Sequence, residues 1–300
     1  MSPDAIAADP AAALAPGLTA IRTSDELVIR LAPGARPEAP LHVVFDAATT
    51  RPRLRVEAGR GSALTLVESH HGEGAEADTE LVVGEGACVR HARVTRLGAA
   101  STHHGRLTVT VAADGAYEAQ TIALGGREST LELAVTLDGE GAEVHLAGLA
   151  CVTGASSATT RSEVIHAHPH GRSRQVFKAI AGDGALAEFH GRIRVERGAA
   201  ATDAAQSSRG LLLGTGAAIE ARPALLILAD DVQCAHGTAI GALDPEALFY
   251  LESRGLGRQA AVDALIAAFA AEVIDQVSVS GLRDALGAEI TRHLGGKEDA

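Results

Sequence analysis

The chain contains no tryptophan, and only 2% of its 300 residues are aromatic. Its core must therefore be filled by Val, Leu, Ile and Ala, which favours thin regular layers over packing around large rings. Hydrophobic residues still make up 46% of the chain, enough for a sizeable core in one large domain or two small ones. Only two lysines occur, Lys178 and Lys297, and the formal net charge is −12. That balance excludes a surface built for nucleic acid or an anionic membrane. There is no G-x-x-x-x-G-K-[ST] phosphate loop and no G-x-S-x-G nucleophile elbow. Three cysteines, Cys88, Cys151 and Cys234, are too few and too far apart for a disulfide framework, and a reducing, cytoplasmic location is expected. No basic residue precedes Arg22 and no apolar run reaches bilayer length, so neither a secretory leader nor a membrane span is expected.

What is present is β-branched and repetitive. Residues 1–20 are rich in Ala, Pro and Asp and are expected to form a flexible N-terminal segment. From Glu26 the chain alternates apolar and polar residues in short runs, such as CVRHARVTRL and STLELAVTL, closed by small Gly-containing turns. Glycines 61, 86, 115 and 141 are spaced by 25, 29 and 26 residues. A period of that size without helical crossovers fits either an antiparallel sandwich or a parallel β-helix, and the small corner residues favour the β-helix over residues 21–243. From Asp244 the period changes to that of helices. Asp244-Pro245 is a cap followed by proline at the first helical position, and Gly255 is a stop. Val262, Leu265, Ile266, Phe269, Val273 and Ile274 then form one helical face. Ser280 opens a third helix with Leu282, Leu286 and Ile290 inward, so residues 244–300 are expected to be a helical domain whose last residues, GGKEDA, fray.

The chemistry concentrates in ADDVQCAHGTAIGALDPEALFYLESRG, residues 229–255. Cys234 and His236 lie two apart, so on a strand both point to one side. A thiolate beside an imidazole suits iron, zinc or copper. The plain alternative is a small buried cysteine with a hydrogen-bonded histidine. A full site needs about four donors, and nothing in the sequence brings Cys88 or Cys151 to this pair, so a second chain is expected to supply the rest. His166, His168 and His170 also alternate, but Pro169 and Gly171 make a polar turn the better reading. The adjacent pairs His70-His71 and His103-His104 diverge on a strand. Asp230-Asp231 is expected to close a turn rather than to work as a carboxylate pair.

Over HPHGRSRQVFKAIAGDGALAEFHGRI, TDAAQSSRGLLL and ADDVQCAHGTAIGALDPEALFYLESRGL the chain resembles the SufB/SufD family of iron–sulfur cluster assembly proteins. Cys234-Ala235-His236-Gly237 looks like the SufD branch, and the cysteine that SufB carries before LLLG is replaced here by Gln206-Ser207-Ser208-Arg209. The resemblance implies a right-handed parallel β-helix flanked by helices, with no turnover by the chain itself. It implies pairing with a SufB-like sister subunit and binding of the ABC-type ATPase SufC through the C-terminal helices. Cys234 and His236 would face the sister subunit, where iron or a nascent cluster is held transiently, with nothing bound stably by this chain alone. Asp244, Pro245, Glu246, Leu248 and Phe249 would receive the ATPase, together with Tyr250, Ser253, Arg254 and Gly255. Longer family members carry an N-terminal helical domain, in whose place this sequence has a short Ala/Pro-rich segment. Two other readings stay open: a carbohydrate-active β-helix lyase or hydrolase, and a homodimeric interaction protein paired through its solenoid edge.

Overall fold

A computed structural model describes residues 15–23, 26–45, 51–71 and 75–295. Among these residues the strands, in chain order, are β1 (Leu18–Arg22), β2 (Glu26–Leu31), β3 (Leu41–Phe45), β4 (Arg53–Ala58), β5 (Ala63–His71), β6 (Ala75–Val83), β7 (Cys88–Leu97), β8 (Thr102–Val111) and β9 (Ala116–Gly125). They continue with β10 (Glu128–Leu137), β11 (Glu143–Val152), β12 (Ser157–His166), β13 (Arg172–Ala181), β14 (Leu186–Val195), β15 (Thr202–Leu212), β16 (Ala218–Ile227) and β17 (Val232–Ala242). Helices α1 (Pro245–Ser253), α2 (Arg258–Ile274) and α3 (Ser280–Gly295) follow. The expected N-terminal segment lies mostly outside the described residues, as does all of the C-terminal GGKEDA but its first glycine. Leu18–Arg22, which straddles the expected boundary at residue 20, is a strand.

From β2 onward the even-numbered strands stack in one sheet and the odd-numbered strands in the other, and neighbours within each sheet run parallel. One even and one odd strand make one coil, so the chain is a parallel β-solenoid flattened into two sheets. The register advances by nearly constant steps: Leu64 pairs with Val89, 25 residues on, and Ser173 with Ala204, 31 residues on. Only β1 departs from the rule, pairing antiparallel with β2 at the first edge.

The turns explain why the strands stack in parallel instead of folding back as hairpins. Each passage from the even to the odd sheet before the last contains a residue in the left-handed region, and its amide donates to the turn one coil further on. Gly61 N–H bonds Glu85 O, Gly86 bonds Ala113 O, Asp114 bonds Glu140 O and Gly141 bonds Pro169 O, at 2.8–3.1 Å. The same step is taken by His170 (φ 61°) to Ala200 O and by Ala201 (φ 55°) to Asp231 O. The glycine punctuation read from the sequence follows this seam only as far as Gly141. The Gly182–Gly184 and Gly214–Gly216 turns lie on the opposite seam, between β13 and β14 and between β15 and β16.

Alternation sends one side chain of each pair inward. Leu54, Val56, Leu64, Leu66, Leu81, Leu107, Val109, Leu133 and Val144 fill the space between the sheets, which two aliphatic layers span at about 10 Å. The outer face of the odd sheet is also apolar, and α2 and α3 cover it: Ile122, Leu149, Cys151 and Ile180 meet Ile266, Ala270, Val273, Leu286 and Ile290. Lys178 fastens this layer. Its Nζ donates to Phe269 O at 2.7 Å, lies 2.5 Å from Glu272 Oε2 and sits over the Phe269 ring. No helix among the described residues is long and apolar enough to cross a membrane.

Between the sheets lie three histidines that resist protonation. Burial lowers His70 to about 4, His103 to about 3 and His166 to about 4, with the nearby Arg93 adding to the effect on the first two. In the unfolded chain each regains an ordinary pKa near 6.5. Below that pH the unfolded state binds more protons, so stability is complete above about pH 6.5 and is lost as pH falls toward 4. Each histidine contributes a slope of about 1.4 kcal/mol per pH unit in that window. Urea midpoints measured from pH 7.5 to 4.5 are expected to fall steadily; a flat profile would show that these rings are not held neutral.

Candidate functional site

The pair Cys234 and His236 stands on β17, the last strand of the odd sheet, whose far side has no strand neighbour among the described residues. Cys234 continues a stack that runs Leu64, Val89, Tyr117, Val144, Ser173, Ala204, and His236 continues one that runs Gln175, Gln206. Both side chains therefore belong to the inner face, in the one coil that no further coil covers. Cys234 is half-buried against the cluster of Ile193, Val195, Ala199 and Ala204, while His236 is exposed. They lie at the open mouth of the solenoid, neither sealed in the stack nor remote from its edge.

The chemistry of the pair is that of two donors awaiting others. Burial pushes the Cys234 thiol above its ordinary value, and the carboxylate of Asp203 pushes the same way. The group rests as a thiol and must release its proton to become a ligand. Cys88 opens β7 and Cys151 lies fully buried beneath the helices, so the three free cysteines sit on separate coils. Among the described residues no three or more His, Cys, Asp or Glu side chains are arranged so that they could hold a metal ion.

The terminal strands also carry exposed apolar side chains. Leu226, Ile227 and Leu228 at the end of β16, and Ile240 on β17, are large hydrophobic residues left exposed. Pro223 lies within β16, the edge strand of the even sheet, which is where a sheet tolerates the loss of an N–H. Asp230 and Asp231 form the bend into β17, and Asp231 O accepts from Ala201 N, so they serve the turn.

Only Leu243 and Asp244 separate β17 from α1. Asp244 caps the helix, its Oδ1 accepting from Glu246 N at 2.9 Å, and Pro245 takes the first helical position. Leu248 is the residue α1 buries. Phe249 and Tyr250 turn outward, 72% and 56% exposed. Ser253 Oγ donates to Tyr250 O, the Arg254 guanidinium lies over the Tyr250 ring, and Gly255 ends the element at φ 94°. Glu246, Ser253 and Arg254 are solvent-facing, so the nine residues singled out in the sequence form one short helix with an aromatic outer surface.

The other histidines disperse. His166 ends β12, buried, its Nε2 2.9 Å from Ser173 Oγ, whereas His168 and His170 stand in the following turn beside Asp138 and Glu140. His71 and His104 point out while His70 and His103 point in. There the structure holds a cluster that the sequence reading passed over. Glu68, with no exposure, receives Arg93 Nη1 at 2.7 Å, Thr79 Oγ1 at 2.8 Å and His70 Nε2 at 2.5 Å, while His91 Nε2 lies 3.0 Å from its second oxygen. Burial alone would raise this carboxyl, but Arg93 and the His70 contact outweigh it and hold it well below the usual range. Two further buried side chains were missed behind His236: Gln206 and Gln175, joined at 3.2 Å.

The family model for the SufBD core domain of SUF-system iron–sulfur cluster assembly matches residues 43–269. An iron–sulfur cluster assembly SufBD family protein of Synechocystis is 29% identical over 282 residues, covering 88% of this chain and 62% of that protein. The chloroplastic protein ABCI7 of Arabidopsis thaliana is 31% identical over 278 residues, 87% of this chain and 58% of its own. The iron–sulfur cluster assembly protein SufD of Escherichia coli is 30% identical over 278 residues, 88% of this chain and 65% of its own. The chain thus spans about three fifths of the length of these relatives.

Proposed function

Because the chain belongs to the SufB/SufD family of iron–sulfur cluster assembly proteins, we propose that it is a SufD-like, non-catalytic scaffold subunit that pairs with a SufB-like sister through its open end. On this proposal α1 receives a SufC-like ATPase, and iron or a nascent cluster is cargo held transiently where Cys234 and His236 meet the sister subunit. The observation that carries the proposal is the incompleteness of the pair: two donors at the mouth of the last coil, on a strand with a free edge. A tetrahedral site would need about two more. Leu226, Ile227, Leu228 and Ile240 supply the apolar surface that a paired edge would bury.

The path from ATPase to cargo is short. ATP-driven closure of two ATPase subunits would load α1, and two residues transmit that load to β17. The solenoid and α2 cannot yield in parallel, since Lys178 and Arg209 both hold Glu272. Strain therefore falls on the terminal coil and opens the pair to iron or sulfur. Cross-links placed between the two open ends should shift on ATP addition, and unchanged distances would reject the mechanism.

Co-purification tests the partners. The chain expressed with the sister subunit and the ATPase should retain both, and Phe249→Ala with Tyr250→Ala should lose the ATPase while keeping the sister. Exposed aromatic anchors of this kind cost at least about 2 kcal/mol each on truncation, roughly a thirtyfold loss of affinity per residue. Retention of the ATPase by the double variant would move the docking site elsewhere. Light scattering of the chain alone and with the sister separates homodimer from heterodimer. A sugar site has little support: Tyr117, Phe177 and Phe189 are buried between the sheets.

A further inference from the structure

Behind His236 a line of buried amides runs into the solenoid, and it ends on a carbonyl with no partner. Gln206 lies beside His236 in the parallel register and Gln175 lies on its other side. Both glutamines are buried, at 3% and 2% exposure. Gln206 Nε2 donates to Gln175 Oε1, which also accepts from Ser162 Oγ at 2.9 Å on the opposite sheet. In this arrangement the Gln206 nitrogen is turned toward Gln175. The Gln206 oxygen, Oε1, is buried and makes no hydrogen bond. A buried carbonyl without a donor is costly, by about 1–3 kcal/mol. Of the two same-face neighbours in its ladder, one is already engaged by the nitrogen, and the other is His236.

The opposite sheet leaves room for the amide. A Cβ at Gly191 would come within 2.4–2.6 Å of the Gln206 amide atoms, so only glycine lets the group lie there. A glycine that makes room for a buried amide one strand behind His236 is the geometry of a support for that residue.

We propose that Gln206 is a positioning residue for His236. Its carbonyl accepts the imidazole Nδ1–H, which fixes the tautomer and leaves the Nε2 lone pair for the metal that Cys234 also ligates. This rests on the metal-pair reading above. Ligating imidazoles depend on such an outer partner, whose loss typically weakens metal binding by about 10–100-fold. A strand-borne histidine on a terminal coil would otherwise interconvert between tautomers and rotamers, and half of a shared site would be poorly formed before the sister subunit arrives.

The test is the nitrogen spectrum of the full chain labelled on histidine, near pH 8, with His236→Gln assigning the resonance. His236 should carry its proton on Nδ1. In Gln206→Met, close in shape but without the carbonyl, that preference should vanish. Gly191→Ala, which displaces the amide without altering it, should do the same. Gln206→Glu should restore the preference, because Gln175 Nε2 is also without a partner and can turn to donate to the new carboxylate. Cobalt(II) added to the chain probes the metal, read by thiolate-to-cobalt absorbance that requires Cys234. Its affinity should fall at least about tenfold in Gln206→Met. A wild-type His236 protonated on Nε2, or a tautomer unmoved by Gln206→Met, overturns the proposal whatever the variants' stability. Cobalt uptake lost in Cys234→Ser yet unchanged in Gln206→Met overturns the positioning role while sparing the metal pair. The Nδ1–H form held by Gln206, with cobalt uptake indifferent to Cys234, supports the positioning and removes the metal pair.

Discussion

Glu68→Ala should be the most destabilising single substitution in this chain, lowering stability by about 3–5 kcal/mol. The carboxylate has no exposure and is met by Arg93, His70, His91 and Thr79 from β5, β6 and β7. Its removal leaves the Arg93 guanidinium, 2% exposed, without a counter-charge between two aliphatic layers. Domains are stable by about 5–15 kcal/mol, so the loss consumes a large share of the total. The effect should appear as a fall in the urea midpoint at unchanged slope. Replacing both charges, Glu68→Leu with Arg93→Leu, should recover much of it, since a buried ion pair exchanged for apolar groups is often near neutral whereas a broken one is not. The solvated pair Arg51–Glu76 serves as the control, and Glu76→Ala there should cost no more than about 1 kcal/mol. A Glu68→Ala cost below that of the control would mean that the cluster relaxes or is wet.

Alternation alone contained the clue to that cluster. In ALTLVESHH the positions Leu64, Leu66, Glu68 and His70 share one parity, so any strand that buries the leucines also buries the glutamate and the histidine. Reading His70-His71 as an adjacent pair hid this, because the other partners of Glu68, namely Thr79, His91 and Arg93, come from the next two strands and only the fold brings them to it. The solenoid was legible for the opposite reason: its period is local. Glycine marked the even-to-odd seam where the left-handed residue is glycine, at 61, 86 and 141, and fell silent where His170 and Ala201 take that conformation. Of the histidine run at 166–170, His168 and His170 were legible as a turn through Pro169, with His170 itself carrying the positive φ, whereas His166 ends β12 and is buried. Cys234 and His236 could be placed on one face from their spacing. That the face is inward, and that the coil is the last, required the stack of strands. Gln206 gave no signal, since a glutamine in an Ala/Ser-rich run reads as solvated until its neighbours are known.

If the proposed role is right, Cys234→Ser with His236→Ala should abolish cluster formation in the assembled complex while leaving the fold almost untouched. The two predictions separate because burial separates them. Glu68 sits deep among four partners, whereas His236 is exposed and Cys234 is half-buried on a coil with nothing above it. Neither substitution strands a buried charge or opens a closed cavity, so the stability change should stay within about 1 kcal/mol. Loss of half the donors of a shared site, by contrast, should reduce iron retained per complex by more than about tenfold. The measurements are iron and sulfide content of the co-purified complex, with the ATPase and the sister subunit quantified in the same sample. Retained partners with lost iron would place the chemistry at the pair. Normal iron content would make Cys234 and His236 structural residues of the terminal coil, and lost partners would make them part of the pairing surface alone. The resting protonation of Cys234 adds a second handle. Its thiol is pushed up by burial and by Asp203, so a ligand must displace a proton, and iron retention should rise with pH. Asp203→Asn removes the carboxylate that opposes thiolate formation and should shift that rise to lower pH, an outcome with no counterpart if the pair binds nothing.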